Sequence, residues 1–271
     1  MIRIASLALA LALAAVALPA AAGAAPQINV SVDPGTLILD GHARQTLRVT
    51  NAGDVTSTID VGVGNYAISP EGAVLIDPPL EPARSARRWI TVSPTRLALG
   101  PRESTVVTVT SRPPHIASPG DHHALILLTA AADRPSGSAV RVQARVGVGT
   151  LVRVPGALHR FLQVHNVTVH RGGGLKVLRI GMSNKGNVNE RLARGQVVVV
   201  LRKNGRVIAR LKARTRSLLP GTSGIISIPY RGKVRGTVRV TATVTPTPAA
   251  LAGPGIAGIA RPIVRTAALT L

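Results

Sequence analysis

The sequence predicts an all-β chain: two tandem immunoglobulin-like β-sandwich domains behind a signal peptide. Three observations carry that expectation. Short runs rich in Val, Ile and Thr alternate apolar and polar residues with a period near two. Turn chemistry such as DPG, NAGD, SPEG, DPP, GPRES and SPGD separates these runs. Beyond the N-terminal segment, no stretch places apolar residues at the i, i+3, i+4, i+7 spacing of an amphipathic helix.

Residues 1–25 carry one early cation, Arg3, an apolar run from Ile4 to about Leu18, and an Ala-x-Ala site at Ala22–Ala24. This is the pattern of a secretory signal peptide. The run falls short of the ~20 apolar residues that a membrane span needs. A secreted, extracellular or envelope-associated location follows. The chain has no Cys, so neither a disulfide nor a lipid anchor on Cys can hold it.

The first domain is expected over 26–157. Its strand runs are INVSV, TLILD, QTLRVTN, STIDVGVGN, RWITV, RLAL, STVVTVTS, HALILLTA and AVRVQARVGV. In the last, Val140, Val142, Ala144, Val146 and Val148 share one face, while Arg141, Gln143 and Arg145 share the other. Candidate core residues are Leu47, Val49, Ile90, Val92, Val107, Val109, Leu125, Leu127, the Val140–Val148 face and Trp89. The boundary is placed where LVRVPG ends at Pro155–Gly156.

The second domain is expected over 158–271. FLQVHNVTVH and LKVLRIGMSN read as strands, and KGNVNERLARG as a loop. VVVVLRKNGRVIARL reads as a hairpin about Asn204–Gly205, since both turn residues tolerate positive φ. LLPGTSGIISIPY and GTVRVTATV supply two more strands. A long Ala/Gly/Pro loop is expected over about 247–260. IVRTAALTL is expected to be the last strand, paired with GTVRVTATV. Pro254, Arg261, Pro262 and Arg265 exclude a membrane span in this apolar tail.

Charge separates the halves. Residues 27–157 hold 12 Lys+Arg and 10 Asp+Glu, a net +2, whereas 158–271 hold 20 Lys+Arg and only Glu190, a net +19. Arg210, Lys212, Arg214 and Arg216 fall on alternate positions, which in an extended strand makes a line of charge about 20 Å long. Arg202, Lys203 and Arg206 lie nearby around the hairpin turn, and Arg231, Lys233 and Arg235 form a second alternating set. Like charges this close repel one another, and a polyanion would relieve the repulsion. These ten residues are the candidate polyanion-binding set. An outward, solvated face is the alternative. Only Phe161 and Tyr230 could stack bases in this half, which argues against nucleic acid.

Chemistry is otherwise sparse. With a single carboxylate, the second domain cannot form an acid–base pair. No Gly-x-Ser-x-Gly elbow or phosphate loop is present. RGGGLK lies between strands and reads as a turn. Asp121, His122 and His123 cluster, but adjacent strand residues point to opposite faces, so no convergent metal site is expected. The expectation is a protein without catalytic residues, cofactor or metal.

Two resemblances accompany this reading. PGTLILDGHARQTLRVTNAG, RRWITVSPTRLALGPRESTVVTVTSRPP, ASPGDHHALILLT, VRVQARVGVGTLVRVPG, SNKGNVNERLARGQVVVVLRKNGRVIA and SLLPGTSGIISIPYRG together resemble the ectodomain of WxL-interacting cell-wall proteins. The resemblance implies a peptidoglycan-binding sandwich followed by a second Ig-like domain, with an adhesion or scaffolding role. Partners would be an anionic wall polymer, peptidoglycan or another surface protein. That family's C-terminal membrane span has no counterpart here, so electrostatic retention by the +19 half is the expectation. The second reading is a periplasmic pilus-assembly chaperone. WITVSPTRLALGPRESTVVTV resembles the segment before that family's exposed strand, and AVRVQARVGV would lend apolar residues to a pilin subunit. The cation that the family's first strand uses to grip a carboxylate is missing from INVSVDPGTLILDG. A structural sandwich with no specific ligand is the third.

Overall fold

The computed structural model describes residues 27–79, 81–132, 143–172, 175–247, 256–258 and 261–271. The expected signal peptide, and Val140 and Val142 of the last first-domain run, lie outside the described residues. The first half holds β1 (Val30–Asp33), β2 (Thr36–Asp40), β3 (Ala43–Asn51), β4 (Ser57–Gly64), β5 (Tyr66–Ile68), β6 (Val74–Ile76), β7 (Ile90–Ser93), β8 (Arg96–Leu99), β9 (Ser104–Ser111), β10 (Gly120–Ala132) and β11 (Gln143–Val154). One sheet has the order β1-β3-β9-β7, and it faces a sheet of order β2-β11-β10-β4-β8. The chain changes sheets between β1 and β2. As a result β2 lies parallel to β11, while its sheet neighbours pair antiparallel.

The second half holds β12 (Leu158–Arg160), β13 (Leu162–Gly172), β14 (Leu175–Asn184), β15 (Glu190–Leu192), β16 (Val197–Lys203), β17 (Arg206–Lys212), β18 (Arg216–Leu218), β19 (Ser223–Tyr230), β20 (Thr237–Val244), β21 (Ile256–Gly258) and β22 (Ile263–Thr270). Its main sheets are β13-β14-β19 and β17-β16-β20-β22. The expected hairpin turns at Asn204 (φ 49°) and Gly205 (φ 79°). The expected last strand, β22, pairs antiparallel with β20 from Thr237 opposite Thr270 to Val244 opposite Ile263.

Two separate aliphatic cores result, as a nearly aromatic-free composition requires. Leu37, Leu39, Leu47, Ile59, Ile126 and Leu128 are fully buried in the first. Leu178, Ile180, Met182, Leu192, Leu201 and Leu218 are fully buried in the second. Truncating any of these leucines to Ala typically costs about 2–5 kcal/mol, part of it for the cavity left behind. Trp89 packs against the first core from its rim, half-buried, in a short 3-10 turn, Arg87–Trp89.

Three expectations need correcting. Leu125 and Leu127 face away from the first core; Ala124, Ile126, Leu128 and Ala130 fill it instead. The run HALILLTA is apolar on both faces, so its phase is not readable from alternation. The loop expected over 247–260 contains β21, which pairs parallel with β12. The loop KGNVNERLARG contains β15, paired with β18. Both are three-residue strands, too short to leave a period-two signal. Among the described residues, no helix is long and apolar enough to cross a membrane.

Candidate functional site

The candidate site is the edge of β11 and the cleft into which it runs. β10 lies against β11 along its whole length, from Gln143 opposite Ala131 to Val154 opposite Gly120. On the other side β2 covers only Gly149–Arg153. From Gln143 to Val148, β11 therefore has no second neighbour among the described residues. Side-chain burial follows the loss of that neighbour. Val148 is fully buried, whereas Val146 and Ala144, two and four residues upstream on the same face, are only half-buried. In the facing sheet β1 is an edge strand too, and its Val32 is likewise half-buried against the first core. The sandwich is open along this side, with an apolar rim of Val32, Ala144 and Val146.

Past Gly149 the strand reaches the junction of the two halves. The buried Asp121 carboxylate accepts from Arg153 Nε at 2.7 Å and Nη2 at 3.1 Å. It also accepts from the backbone N–H of Asn189 in the second half, at 2.7 Å. This hydrogen bonding raises the Arg153 pKa further above its ordinary range. Asn187 adds to the junction by donating from Nδ2 to the carbonyls of Pro119 (3.2 Å) and Ala157 (2.8 Å). Gly120 (φ 113°) leaves room for it, since a side chain there would strike the Asn187 carbonyl.

A second clamp comes from the β5–β6 turn. Arg216 Nη2 donates to the carbonyls of Ser69 (3.0 Å) and Pro70 (2.9 Å), and the Ile225 N–H donates to Pro70 O at 2.7 Å. Between the clamps, Tyr66, Leu125, Leu151 and Leu219 form an apolar cluster shared by both halves. Beside them lies a cleft of about 510 Å³, with Thr36, Ile38, Leu151 and Arg153 on one wall and Arg160, Arg191, Thr215 and Ser217 on the other. Ile38 of β2 is 45% exposed there. The cleft's cations come from β11 and from the second half, not from the first strands.

His122 and His123 point to opposite faces of β10. His122 packs on Trp89 with ring centres 4.4 Å apart and the rings tilted by 48°, and Nε2 lies 2.9 Å from Ser118 O. His123 meets Tyr66 edge-on at 5.2 Å. Burial, then the neighbouring His122 and Arg84, pushes His123 down to about 4. Burial, then Asp121, pushes Tyr66 up to about 12. Among the described residues no group of three His, Cys, Asp or Glu could hold a metal ion.

The basic residues singled out by spacing are not in one line. Arg210 and Lys212 stand exposed on one face of β17, but that strand ends at Lys212. The chain then turns inward: Ala213 is buried and donates to Val197 O at 2.9 Å. Arg214 is exposed in the connection, and Arg216 opens β18 in a different sheet, where it serves the junction. The remaining six gather at the far end of the second half. Arg202 and Lys203 close β16, Arg206 opens β17, and Arg231, Lys233 and Arg235 lie exposed in the loop after β19. Spacing along the chain missed Asp121, Arg153, Asn187 and Arg216 as junction residues. Asp121, the one carboxylate in β10, was the available signal.

No family model and no curated protein sequence matches the chain. Solved structures do. One is a chain of the Salmonella enterica SafA pilin–SafB chaperone complex, at 12% identity and a TM-score of 0.48, covering 90% of this chain and 99% of that one. Another is a chain of the CsuC–CsuE chaperone–tip adhesion subunit complex from chaperone-usher Csu pili of Acinetobacter baumannii, at 10% identity and TM-score 0.45, covering 89% and 98%. A third is the CupB2 chaperone of Pseudomonas aeruginosa, at 11% identity and TM-score 0.43, covering 88% and 100%. The structures found are chaperones of this kind, not wall-binding proteins. The expected resemblance to WxL-interacting proteins is thereby corrected, and the expected wall-polymer binding has no support among these structures.

Proposed function

We propose that this chain is an exported, non-catalytic assembly chaperone that holds a β-sandwich subunit by strand addition along the open edge of β11. The observation that carries this reading is the span Gln143–Val148, paired with β10 on one side and uncovered on the other. An uncovered edge presents N–H and C=O groups that an extended segment can satisfy, and proteins otherwise shield such edges. Six residues of added strand would span about 20 Å. Each new ladder hydrogen bond is worth a net ~0.5–1.5 kcal/mol. Covering the half-buried rim adds ~25 cal/mol per Å² of apolar surface. A subunit that lacks one of its own strands is the partner with a complementary defect. The junction contacts tie the second half to the far end of β11, so a subunit on this edge would meet residues of both halves.

Co-expression with exported pilin-type subunits, followed by co-purification, tests the reading. Ala144→Lys combined with Val146→Lys should abolish the complex, because lysine along an edge opposes pairing. The same variant should still fold, since both positions are at the open rim. A subunit retained at wild-type level by that variant would overturn the reading.

A further inference from the structure

The end of the second half farthest from the junction is a basic cap built by three chain segments. β14 runs from Asn184 at the junction to Leu175 at this end, about 30 Å on ordinary strand rise. The β13–β14 hairpin brings Lys176, the β16–β17 hairpin brings Lys203 and Arg206, and the loop after β19 brings Arg231, Lys233 and Arg235. The three segments are tied together. Lys176 Nζ donates to Val234 O at 2.6 Å and Lys203 Nζ to Arg235 O at 2.9 Å, so the loop is pinned from both sides. The side chains of Arg206, Arg231, Lys233 and Arg235 are exposed and have no hydrogen-bond or ion-pair partner among the described residues. No acidic side chain of this half can offset them: its only acid, Glu190, is buried in a pair with Arg160.

Leu175, 46% exposed, stands among these cations, and Lys176 lies over the Tyr230 ring at 5.9 Å from its centre. A hollow of about 790 Å³ between them is lined by Leu175, Lys176, Tyr230, Arg231, Gly232, Lys233 and Arg235. Like charges gathered on three pinned segments repel one another, and an anionic surface would relieve that repulsion. Lys176, Arg231, Lys233 and Arg235 line this open hollow, while Lys203 and Arg206 lie outside it on the neighbouring hairpin, so the charge extends beyond the hollow. That spread suits a broad anionic surface better than a single phosphate, and the exposed Leu175 suits an interface with an apolar layer beneath it.

We propose that this cap docks the protein on an anionic phospholipid surface, leaving the β11 edge of the first half free. The test is flotation of the full chain with vesicles of phosphatidylglycerol and phosphatidylcholine, against phosphatidylcholine alone. Binding should require the anionic lipid and fall at least about tenfold as salt shortens the reach of each charge. Arg231→Ser, Lys233→Ser and Arg235→Ser together should lose at least about tenfold in binding, with Arg206→Ser plus Leu175→Ser as an independent second variant. Arg210→Ser plus Lys212→Ser, on the flank of the sandwich, should retain it. Equal binding to neutral vesicles overturns the proposal, as does full binding by both cap variants. Capture by soluble polyphosphate without flotation on vesicles does the same.

Discussion

Asn51 and Asn184 occupy the same place in the two sandwiches. Each ends a strand, and each spreads its side chain over the turn that follows. Asn51 Nδ2 donates to the carbonyls of Val55 and Leu99, at 2.8 and 3.0 Å, and its Oδ1 accepts from the Gly53 N–H at 3.0 Å. Asn184 Nδ2 donates to Val188 and Leu218, at 2.8 and 2.9 Å, and its Oδ1 accepts from Gly186 at 3.0 Å. Both are fully buried. Replacing either with Ala strands several buried polar groups, at about 1–3 kcal/mol for each left unpaired. Urea unfolding of Asn51→Ala and Asn184→Ala should show comparable losses of about 3 kcal/mol; a loss under about 0.5 kcal/mol in either would break the equivalence.

Asp121 joins the halves, so its removal should uncouple them. Asp121→Ala removes the carboxylate that Arg153 and the Asn189 N–H share across the junction. Breaking such a pair typically costs about 3–5 kcal/mol. Calorimetry should resolve two transitions where the parent shows one coupled transition, and X-ray scattering should show a wider spread of shapes.

The buried His123 sets a pH dependence. Its folded pKa of about 4 lies below the ordinary value of 6.5. Above pH 6.5 both folded and unfolded forms are neutral, and the native state keeps its full stability. Between about 6.5 and 4 the unfolded chain takes up a proton that the folded chain refuses, so stability falls with falling pH. The full loss is about 3 kcal/mol. Tyr66, His122 and Arg84 face this ring, and they do not supply an acid to offset the loss. Urea midpoints across this range should slope accordingly, and His123→Gln should flatten the slope.

Arg216 should differ from the cations next to it. Arg210, Lys212 and Arg214 are exposed, and their replacement by Ser should change stability by no more than about 0.5 kcal/mol. Arg216→Ser removes two hydrogen bonds to the carbonyls of Ser69 and Pro70, at about 1–2 kcal/mol. Thermal melts of the four single variants decide this.

The β-sandwich grammar was legible because alternation and turn chemistry are local. Asn204–Gly205 marked its hairpin, and IVRTAALTL marked the last strand. What escaped depends on partners remote in sequence. The phase of β10 is hidden because Leu125, buried, and Leu127, partly buried, pack with Leu219 and Tyr66 rather than with the core. The even spacing of Arg210 to Arg216 suggested one face, but β17 stops where Ala213 turns inward. The NAGDV and NKGNV segments carry the Asn-x-Gly repeat of the two asparagines, a signal present in the sequence. The open edge left no local mark: the pattern of β11 is that of any strand, and only its pairing with β2 shows where cover ends.

Amide hydrogen exchange along β11, alone and with a bound pilin-type subunit, tests the central claim most directly. In the free protein, amides of Gln143–Val148 directed away from β10 should exchange fast, and those of Gly149–Arg153 should be protected. Subunit binding should slow the exposed set by at least about a hundredfold. Protection of Gln143–Val148 in the free protein, or exchange there unchanged by a bound subunit, would contradict strand addition at this edge.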